Sequence, residues 1–277
     1  MRVPIHLRIV AYAVAIAGTI FFVYPYIWML LSAVRSTEAI LTNPLALWPE
    51  SFDFGALEDV SRIGGKPLWL YALNSFFITG ASTLVSIAVT SLGAYALVRS
   101  PKAWAMRGLR AGFLLTIMYP YMLLVIPVYI VMFKIGLLGT YAGIILFLAM
   151  GPIQFFLFEQ FFRRIPREII ESAIVDGAGE WMILRSIVLP ISTPIVATVA
   201  IITFLLNWAQ WFPVLVISRS PDTYTLPVAL LNMNGELGVN FQGIMMLAAI
   251  TTIPATIVFL IAQRRVIQGM TDGAVKG

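Results

Sequence analysis

RRIPREIIESAIVDGAGEWMILRSIVLP, residues 163–190, is a polar, charge-rich segment that separates two long apolar runs. The chain around it is 60% hydrophobic and only 11% charged over 277 residues. A folded polar element between apolar runs needs a reason to exist, and docking to a soluble partner is the most economical one. We call residues 163–190 the inner loop, and we interpret the chain as the membrane part of a larger assembly.

Composition predicts an all-α membrane protein. The mean hydropathy of +0.92 and repeated apolar runs of about 20 residues are typical of a polytopic helical membrane protein. Helices satisfy their own backbone hydrogen bonds in lipid, so each run is predicted to be one transmembrane helix. The six predicted spans are residues 9–34, 74–98, 109–133, 140–162, 191–213 and 241–263. Together they form a single membrane domain over residues 1–277, with a tail at residues 264–277.

The basic residues predict the orientation. With both termini inside, 13 of the 18 lysines and arginines fall on inner segments and 5 on outer ones. This excess obeys the positive-inside rule and places both termini and the inner loop in the cytoplasm. It also accounts for the net charge of +5, so we expect no nucleic-acid partner.

Several chemistries are excluded by what the sequence lacks. There is no cysteine and only one histidine, His6, so no metal site is expected. Gly64-Gly65-Lys66-Pro67 lacks the spacing of a phosphate-binding loop, so the chain is expected to bind no ATP and no other cofactor itself. Within the spans the only acid is Glu159, for which Arg163 is the predicted salt-bridge partner, so a proton-coupled carrier is disfavoured.

Neutral polar and aromatic residues mark a candidate solute pathway. Carboxamides donate and accept hydrogen bonds, and aromatic faces stack on sugar rings, which suits an uncharged polyhydroxylated solute. Helix packing and interfacial anchoring are the competing interpretations. The candidate pathway residues are Asn74, Tyr119, Tyr121, Asn207, Trp208, Gln210 and Trp211.

Local signals predict two short helices in the inner loop. Pro166 suits the first turn of an amphipathic helix that has Ile170, Ala173, Ile174 and Gly177 on one face. Residues 176–179, Asp-Gly-Ala-Gly, should interrupt it, and a second helix should run from Glu180 toward Pro190. Small residues at this corner would let another protein approach closely. A solvated connector is the alternative.

The inner loop resembles the EAA signature of binding-protein-dependent ABC importer permeases. The matching residues are Glu171, Ser172, Ala173, Asp176, Gly177, Ala178, Ile187, Leu189 and Pro190. Further matches along nearly the full length resemble the carbohydrate-uptake branch, and the smaller permease of maltose-like systems most of all. They include residues 74–75, 94–96, 126–127, 161–166, 225–227 and 273–277.

The resemblance implies a type I ABC importer permease fold in a bacterial inner membrane, and a role for each segment. Glu171, Ser172, Ala173, Asp176, Gly177, Ala178, Leu189 and Pro190 would couple the chain to an ATPase subunit. Lys276 and Gly277 would dock on the ATPase pair, and Asn232, Asn234, Gly235 and Glu236 would contact a solute-binding protein. The implied partners are a second permease chain in a heterodimer, two ATP-binding subunits that hold ATP and Mg²⁺, and an extracytoplasmic binding protein.

Two departures from the family pattern affect these expectations. Ser172 replaces the middle alanine of the signature, and its hydroxyl can add a hydrogen bond. Trp208-Ala209-Gln210 stands where the family often has Trp-Asn and an acid, so the exact solute stays open. We expect a non-catalytic permease subunit for a sugar, oligosaccharide or polyol. The alternatives are a phosphorylated or acidic solute, such as glycerol phosphate or a uronate oligosaccharide, and an ATP-independent channel or facilitator.

Overall fold

The structure is a computed structural model that describes residues 4–233 and 240–274, with side chains to residue 263. Helices dominate the described residues. In chain order the elements are α1 Ile5–Ser32, α2 Thr37–Thr42, α3 Ala56–Ser61, β1 Arg62–Ile63, β2 Lys66–Pro67, α4 Leu68–Arg99, α5 Trp104–Met118, α6 Tyr121–Lys134, α7 Tyr141–Leu148, α8 Pro152–Phe162, α9 Arg167–Val175, α10 Glu180–Ile183, a π-helix Leu184–Val188, α11 Leu189–Ile191, α12 Thr193–Trp208, α13 Phe212–Ile217, a 3₁₀ turn Pro221–Thr223, α14 Leu226–Leu231 and α15 Phe241–Ala274.

The chain divides into two compact units, residues 1–68 with 229–253 and residues 69–228 with 254–277. The prediction of one membrane domain stays a prediction. In the first unit, buried Arg35 organises the segment that follows α1. Its guanidinium donates hydrogen bonds of 2.7 to 2.9 Å to the carbonyl oxygens of Ala39, Asn43 and Ala46. These bonds hold α2 and the turn after it against the end of α1.

Gly64 and Gly65, which were not expected to form a phosphate-binding loop, lie in the turn of a β-hairpin. Gly64 and Gly65 both have positive φ, 55° and 75°, and they join β1 to β2 in antiparallel register. Positive φ at both central residues is the backbone of a two-residue hairpin turn, which glycine adopts without steric cost.

The second unit is built on α4, which buries hydroxyl side chains rather than exposing them. Ser82 accepts a 2.9 Å hydrogen bond from the Asn207 amide, and the Gln154 amide donates a 3.0 Å bond to Thr203. These contacts join α4 to α12 and α8 to α12. Hydrogen bonds of this kind, between polar side chains on neighbouring helices, are typical of packing among membrane helices.

Within the described residues, three helices are long and apolar enough to cross a membrane: Ile5–Ser32, Leu68–Arg99 and Phe241–Gln263. Two bent pairs, α7 with α8 at 49° and Glu180–Ile191 with α12 at 75°, raise the number to five if each pair is one span. Six spans and cytoplasmic termini therefore stay predictions. Residues 264–277 were predicted to be a tail, and α15 continues without a break to Ala274.

The third predicted span, residues 109–133, is two helices rather than one kinked helix. α5 ends at Met118, Tyr119 is extended at ψ 136°, and Pro120 precedes α6. Proline has no N–H to continue a helix, and it forces the preceding residue out of the helical region. Each piece is shorter than a full span.

A second break, between α7 and α8, depends on a glycine. Gly151 precedes α8 with φ −121° and ψ 75°. A Cβ atom at this position would lie 2.6 Å from the Gln154 side-chain oxygen and 2.6 Å from the Ser86 hydroxyl. The bend therefore brings the main chain against polar side chains in the interior of the second unit.

Candidate functional site

The two helices predicted in the inner loop are present. α9 begins after Pro166 and carries Glu168 in its first turn, where a negative charge is favourable beside the helix dipole. Ile170 and Ala173 are buried in a cluster with α4 and α8. Ile174, which the spacing placed on the same face, is exposed instead.

The corner after α9 is a Schellman turn built on Gly177. The Gly177 N–H donates to the Ile174 carbonyl at 3.0 Å, and the Ala178 N–H donates to the Ala173 carbonyl at 2.9 Å. Gly177 has φ +82°, the left-handed conformation that this helix ending requires. An added Cβ on Gly177 or on Gly179 would meet no atom within 4 Å. Glycine is thus needed for the backbone conformation, and the space in front of the corner is open.

Most of the signature residues face outward. Glu171, Ser172, Asp176 and Pro190 are exposed, Ala178 and Leu189 are half-buried, and only Ala173 is buried. The Ser172 hydroxyl donates a 3.1 Å hydrogen bond to the Ile169 carbonyl within α9, so it is satisfied inside the helix.

Large apolar side chains surround the corner, and sequence reasoning did not select them. Val175 is 87% exposed, and Trp181 and Met182 on α10 are 66% and 60% exposed. Together with Ile174, they are exposed apolar residues that flank the two open glycines in the sequence. A signal for Val175 was present in the sequence, because the helical spacing does not place it on the face of Ile170, Ala173 and Ile174.

Sequence reasoning also missed the contact that ties the inner loop to α4. The Glu180 carboxylate accepts three hydrogen bonds of 2.6 to 3.2 Å from the Arg99 guanidinium. It accepts a fourth, at 2.6 Å, from the Tyr95 hydroxyl. The bond from Arg99, followed by the bond from Tyr95, holds the pKa of Glu180 below its ordinary value, although partial burial opposes this. The carboxylate is therefore ionised at neutral pH.

The candidate pathway residues divide into a buried and an exposed group. Asn74, Asn207 and Trp208 are buried in the second unit, where Trp208 stacks on Phe204. Tyr119, Tyr121 and Trp211 are exposed, and Gln210 is half-buried. The buried group makes contacts within the chain, so the exposed group is better placed to meet a solute. Contact with solute stays a prediction for all seven.

Asn74 is engaged by residues 218–225, the segment around the 3₁₀ turn, which we call the outer loop. Its amide nitrogen donates to the carbonyl oxygens of Asp222 and Tyr224 at 2.8 and 2.9 Å, and its oxygen accepts a 2.8 Å bond from the Tyr141 hydroxyl. The side chain is 4% exposed. Asn74 thus fixes the segment around the 3₁₀ turn to the start of α4.

The remaining predicted sites are described only in part. Asn232 follows α14 and is exposed. Asn234, Gly235, Glu236, Lys276 and Gly277 lie outside the described residues. In the described part of the chain, no group of three or more His, Cys, Asp or Glu residues is placed to hold a metal ion.

The charged pair predicted at Glu159 is confirmed and has a third member. Arg163 donates to the Glu159 carboxylate at 2.8 Å, and the Arg110 Nε atom on α5 lies 3.3 Å from the same oxygen. The carboxylate is buried and both guanidiniums are half-exposed. The cluster joins α5 to the end of α8 next to the inner loop.

The known proteins that resemble this chain are membrane components of transport systems. Residues 86–272 match the family described as binding-protein-dependent transport system inner membrane component. The arabinooligosaccharides transport system permease protein AraQ of Halalkalibacterium halodurans is 30% identical over 260 residues, which cover 92% of this chain and 91% of that protein. The sn-glycerol-3-phosphate transport system permease protein UgpE of Agrobacterium fabrum is 28% identical over 278 residues, or 96% of each chain.

A solved structure shares the fold. It is a crystal structure of a bacterial ABC transporter involved in the import of the acidic polysaccharide alginate, with a TM-score of 0.79 and 24% identity. The alignment covers 95% of this chain and 99% of that one.

Proposed function

The chain belongs to the family of binding-protein-dependent transport system inner membrane components, and on that basis we propose that it is the permease subunit of an ATP-driven importer for a sugar, oligosaccharide or polyol. In this proposal it pairs with a second permease chain, two ATP-binding subunits and an extracytoplasmic solute-binding protein. The chain itself carries the solute path and performs no catalysis.

The observation that carries the coupling role is the open corner at Gly177. A left-handed glycine with empty space in front of it, flanked in the sequence by the exposed side chains of Val175, Trp181 and Met182, is a surface that a partner protein can approach closely. Interfaces are built around exposed aromatic and aliphatic anchors of this kind. We place an ATPase subunit on this surface, with Glu171, Asp176 and the rest of the signature in the contact.

A neutral solute is favoured by the exposed part of the candidate pathway. Tyr119, Tyr121, Gln210 and Trp211 offer aromatic faces and one carboxamide, and none of the four carries a charge. Such groups suit stacking on a sugar and hydrogen bonding to its hydroxyls.

An anionic solute is the second candidate, because specific relatives favour it. UgpE is named for sn-glycerol-3-phosphate, and the transporter with the shared fold imports alginate. In that case the cationic groups would come from the partner permease.

Reconstitution tests the proposal. We expect proteoliposomes that hold the full assembly to accumulate solute only when both the binding protein and ATP are supplied. The chain alone should not transport. Accumulation or equilibration by the chain alone would contradict the proposal and favour the channel alternative.

The solute is identified separately, by thermal shift of the partner binding protein. The panel contains neutral oligosaccharides, polyols, glycerol phosphate and uronate oligosaccharides. Stabilisation by a neutral sugar or polyol supports the first candidate, and stabilisation by the anionic compounds alone supports the second.

A further inference from the structure

Four hydrogen bonds connect the inner loop to the end of α4, and they converge on one carboxylate. Arg99 Nε lies 3.0 and 3.2 Å from the two Glu180 oxygens, and Arg99 Nη2 lies 2.6 Å from Oε1. The Tyr95 hydroxyl donates to Oε2 at 2.6 Å. Two oxygens of one side chain are thereby held by two side chains of one helix, four residues apart. This geometry fixes the direction of the carboxylate as well as its distance.

We propose that Arg99, Tyr95 and Glu180 form a strut that transmits displacement of the inner loop to α4. The inference rests on the proposed function, since it assigns a path for the movement that an ATPase partner imposes at Gly177. All three are positioning residues, and none is proposed to touch solute or nucleotide.

The position of Glu180 in the chain supports the strut. Glu180 begins α10 and follows the open Gly177 corner by three residues, so a partner pressing on the corner displaces it directly. Arg99 is the last residue of α4, the 32-residue helix that also contacts α12 through Ser82 and Asn207. A displacement of Glu180 would therefore move Arg99 and with it α4, the helix on which the second unit is built.

The packing around the ion pair indicates that the pair is not needed for the stability of the fold. Ala94 and Leu97 of α4 share a buried cluster with Ile170, Ala173 and Ile183 of the inner loop. That apolar contact holds the two parts together without the ion pair. The ion pair is partly solvated, since the Arg99 and Glu180 side chains are 28% and 59% exposed, and pairs of this kind add little to stability. Loss of the strut should therefore leave the fold intact and change the coupling.

The test measures solute imported per ATP hydrolysed by the full assembly in proteoliposomes. We expect Arg99→Gln and Glu180→Gln to lower this ratio about tenfold, within the range of coupling between distant sites. ATP hydrolysis itself should remain. Arg107→Gln is the matched control, because Arg107 is an exposed arginine on α5 with no partner among the described residues. The exchanged pair Arg99→Glu with Glu180→Arg should recover part of the ratio.

Cross-linking gives a second test that does not depend on the single variants. The chain has no cysteine, so Arg99→Cys with Glu180→Cys introduces the only reactive pair. A strut stays closed through the cycle, so joining the two thiols with a short bifunctional reagent should raise the ratio above that of the unlinked pair. If linking stops transport, the contact must open during the cycle and the strut is wrong.

The two proposals fail differently. If the wild-type assembly does not couple ATP hydrolysis to uptake, the proposed function fails. If it does, and Arg99→Gln and Glu180→Gln keep the wild-type ratio, only the strut fails.

Discussion

The Tyr141 hydroxyl donates a 2.8 Å hydrogen bond to the side-chain oxygen of Asn74, whose amide nitrogen in turn binds two carbonyl oxygens of the outer loop. The same hydroxyl lies 3.1 Å from the Asp222 carbonyl. The start of α4, the start of α7 and the 3₁₀ turn are therefore held at one point. We expect Tyr141→Phe to lower the free energy of unfolding by about 1 kcal/mol and Asn74→Ala by about 1–3 kcal/mol, because the latter leaves carbonyl groups without donors.

Thermal unfolding of the detergent-purified chain measures this effect, and trypsin cleavage at Arg219 reports the order of the outer loop. Tyr119→Phe is the control, since Tyr119 is exposed and its hydroxyl makes no hydrogen bond within the described residues. Equal melting temperatures for Tyr141→Phe and Tyr119→Phe would show that the Asn74 contact contributes nothing.

Gly143→Ala should prevent correct folding. A Cβ at Gly143 would overlap the main-chain carbonyl oxygen of Leu137, and main chain cannot rotate away as a side chain can. Gly108→Ala on α5 is the opposite case, because a Cβ there meets nothing within 4 Å and alanine favours a helix by about 0.5–1 kcal/mol. Yield of monodisperse protein from membranes is the measurement. A normal yield for Gly143→Ala would mean that the turn before α7 differs from the one described.

Gly177→Trp should leave the chain inserted in the membrane while abolishing uptake. The indole would fill the open space at the corner, and the left-handed backbone would disfavour a bulky residue. Gly177→Asn should retain much more uptake, because asparagine tolerates this conformation and is small. Uptake by the assembly and membrane content of the chain are measured together. Wild-type uptake in a well-expressed Gly177→Trp variant would show that no partner occupies the corner.

Glu159 should be coupled energetically to Arg110. Glu159→Gln removes the charge that both guanidiniums share, and we expect a loss of about 1–3 kcal/mol in the free energy of unfolding. Arg110→Gln should cost less in the Glu159→Gln background than in the wild type. A double-mutant cycle on thermal or denaturant unfolding measures the difference, and strict additivity would show that the 3.3 Å contact carries no energy.

Short-range patterns were read correctly from the sequence, and contacts between distant residues were not. The Gly177 corner, the start of α10 at Glu180 and the Glu159 to Arg163 pair all depend on residues within five positions of one another. The bond from Arg99 to Glu180 joins residues 81 positions apart, and no local pattern points to it. Asn74 was predicted to lie on the solute pathway, and its contacts with the outer loop were not predicted, because its partners lie 67 to 150 positions away in the sequence.

Hydropathy also overestimated the continuity of the helices. An apolar run of 25 residues at 109–133 predicts one span, yet Pro120 ends one helix and begins another. Gly151 does the same between α7 and α8. Hydropathy predicts which segments lie in lipid or in the protein interior. The ends of the helices depend on single residues, such as Pro120 and Gly151, whose effect is lost when hydropathy is averaged over a window.

The π-helix at Leu184–Val188 limits where a residue can be inserted into or deleted from the inner loop. A residue added to a helix turns everything beyond it by about 100°, so the wide turn fixes the angle at which Glu180 faces Arg99 relative to Pro190 and to α12, which follows it. An insertion or deletion of one residue between Gly177 and Pro190 would aim the carboxylate away from its guanidinium while leaving every side chain chemically intact. We therefore expect the number of residues between Gly177 and Pro190 to matter more than the identity of most of them.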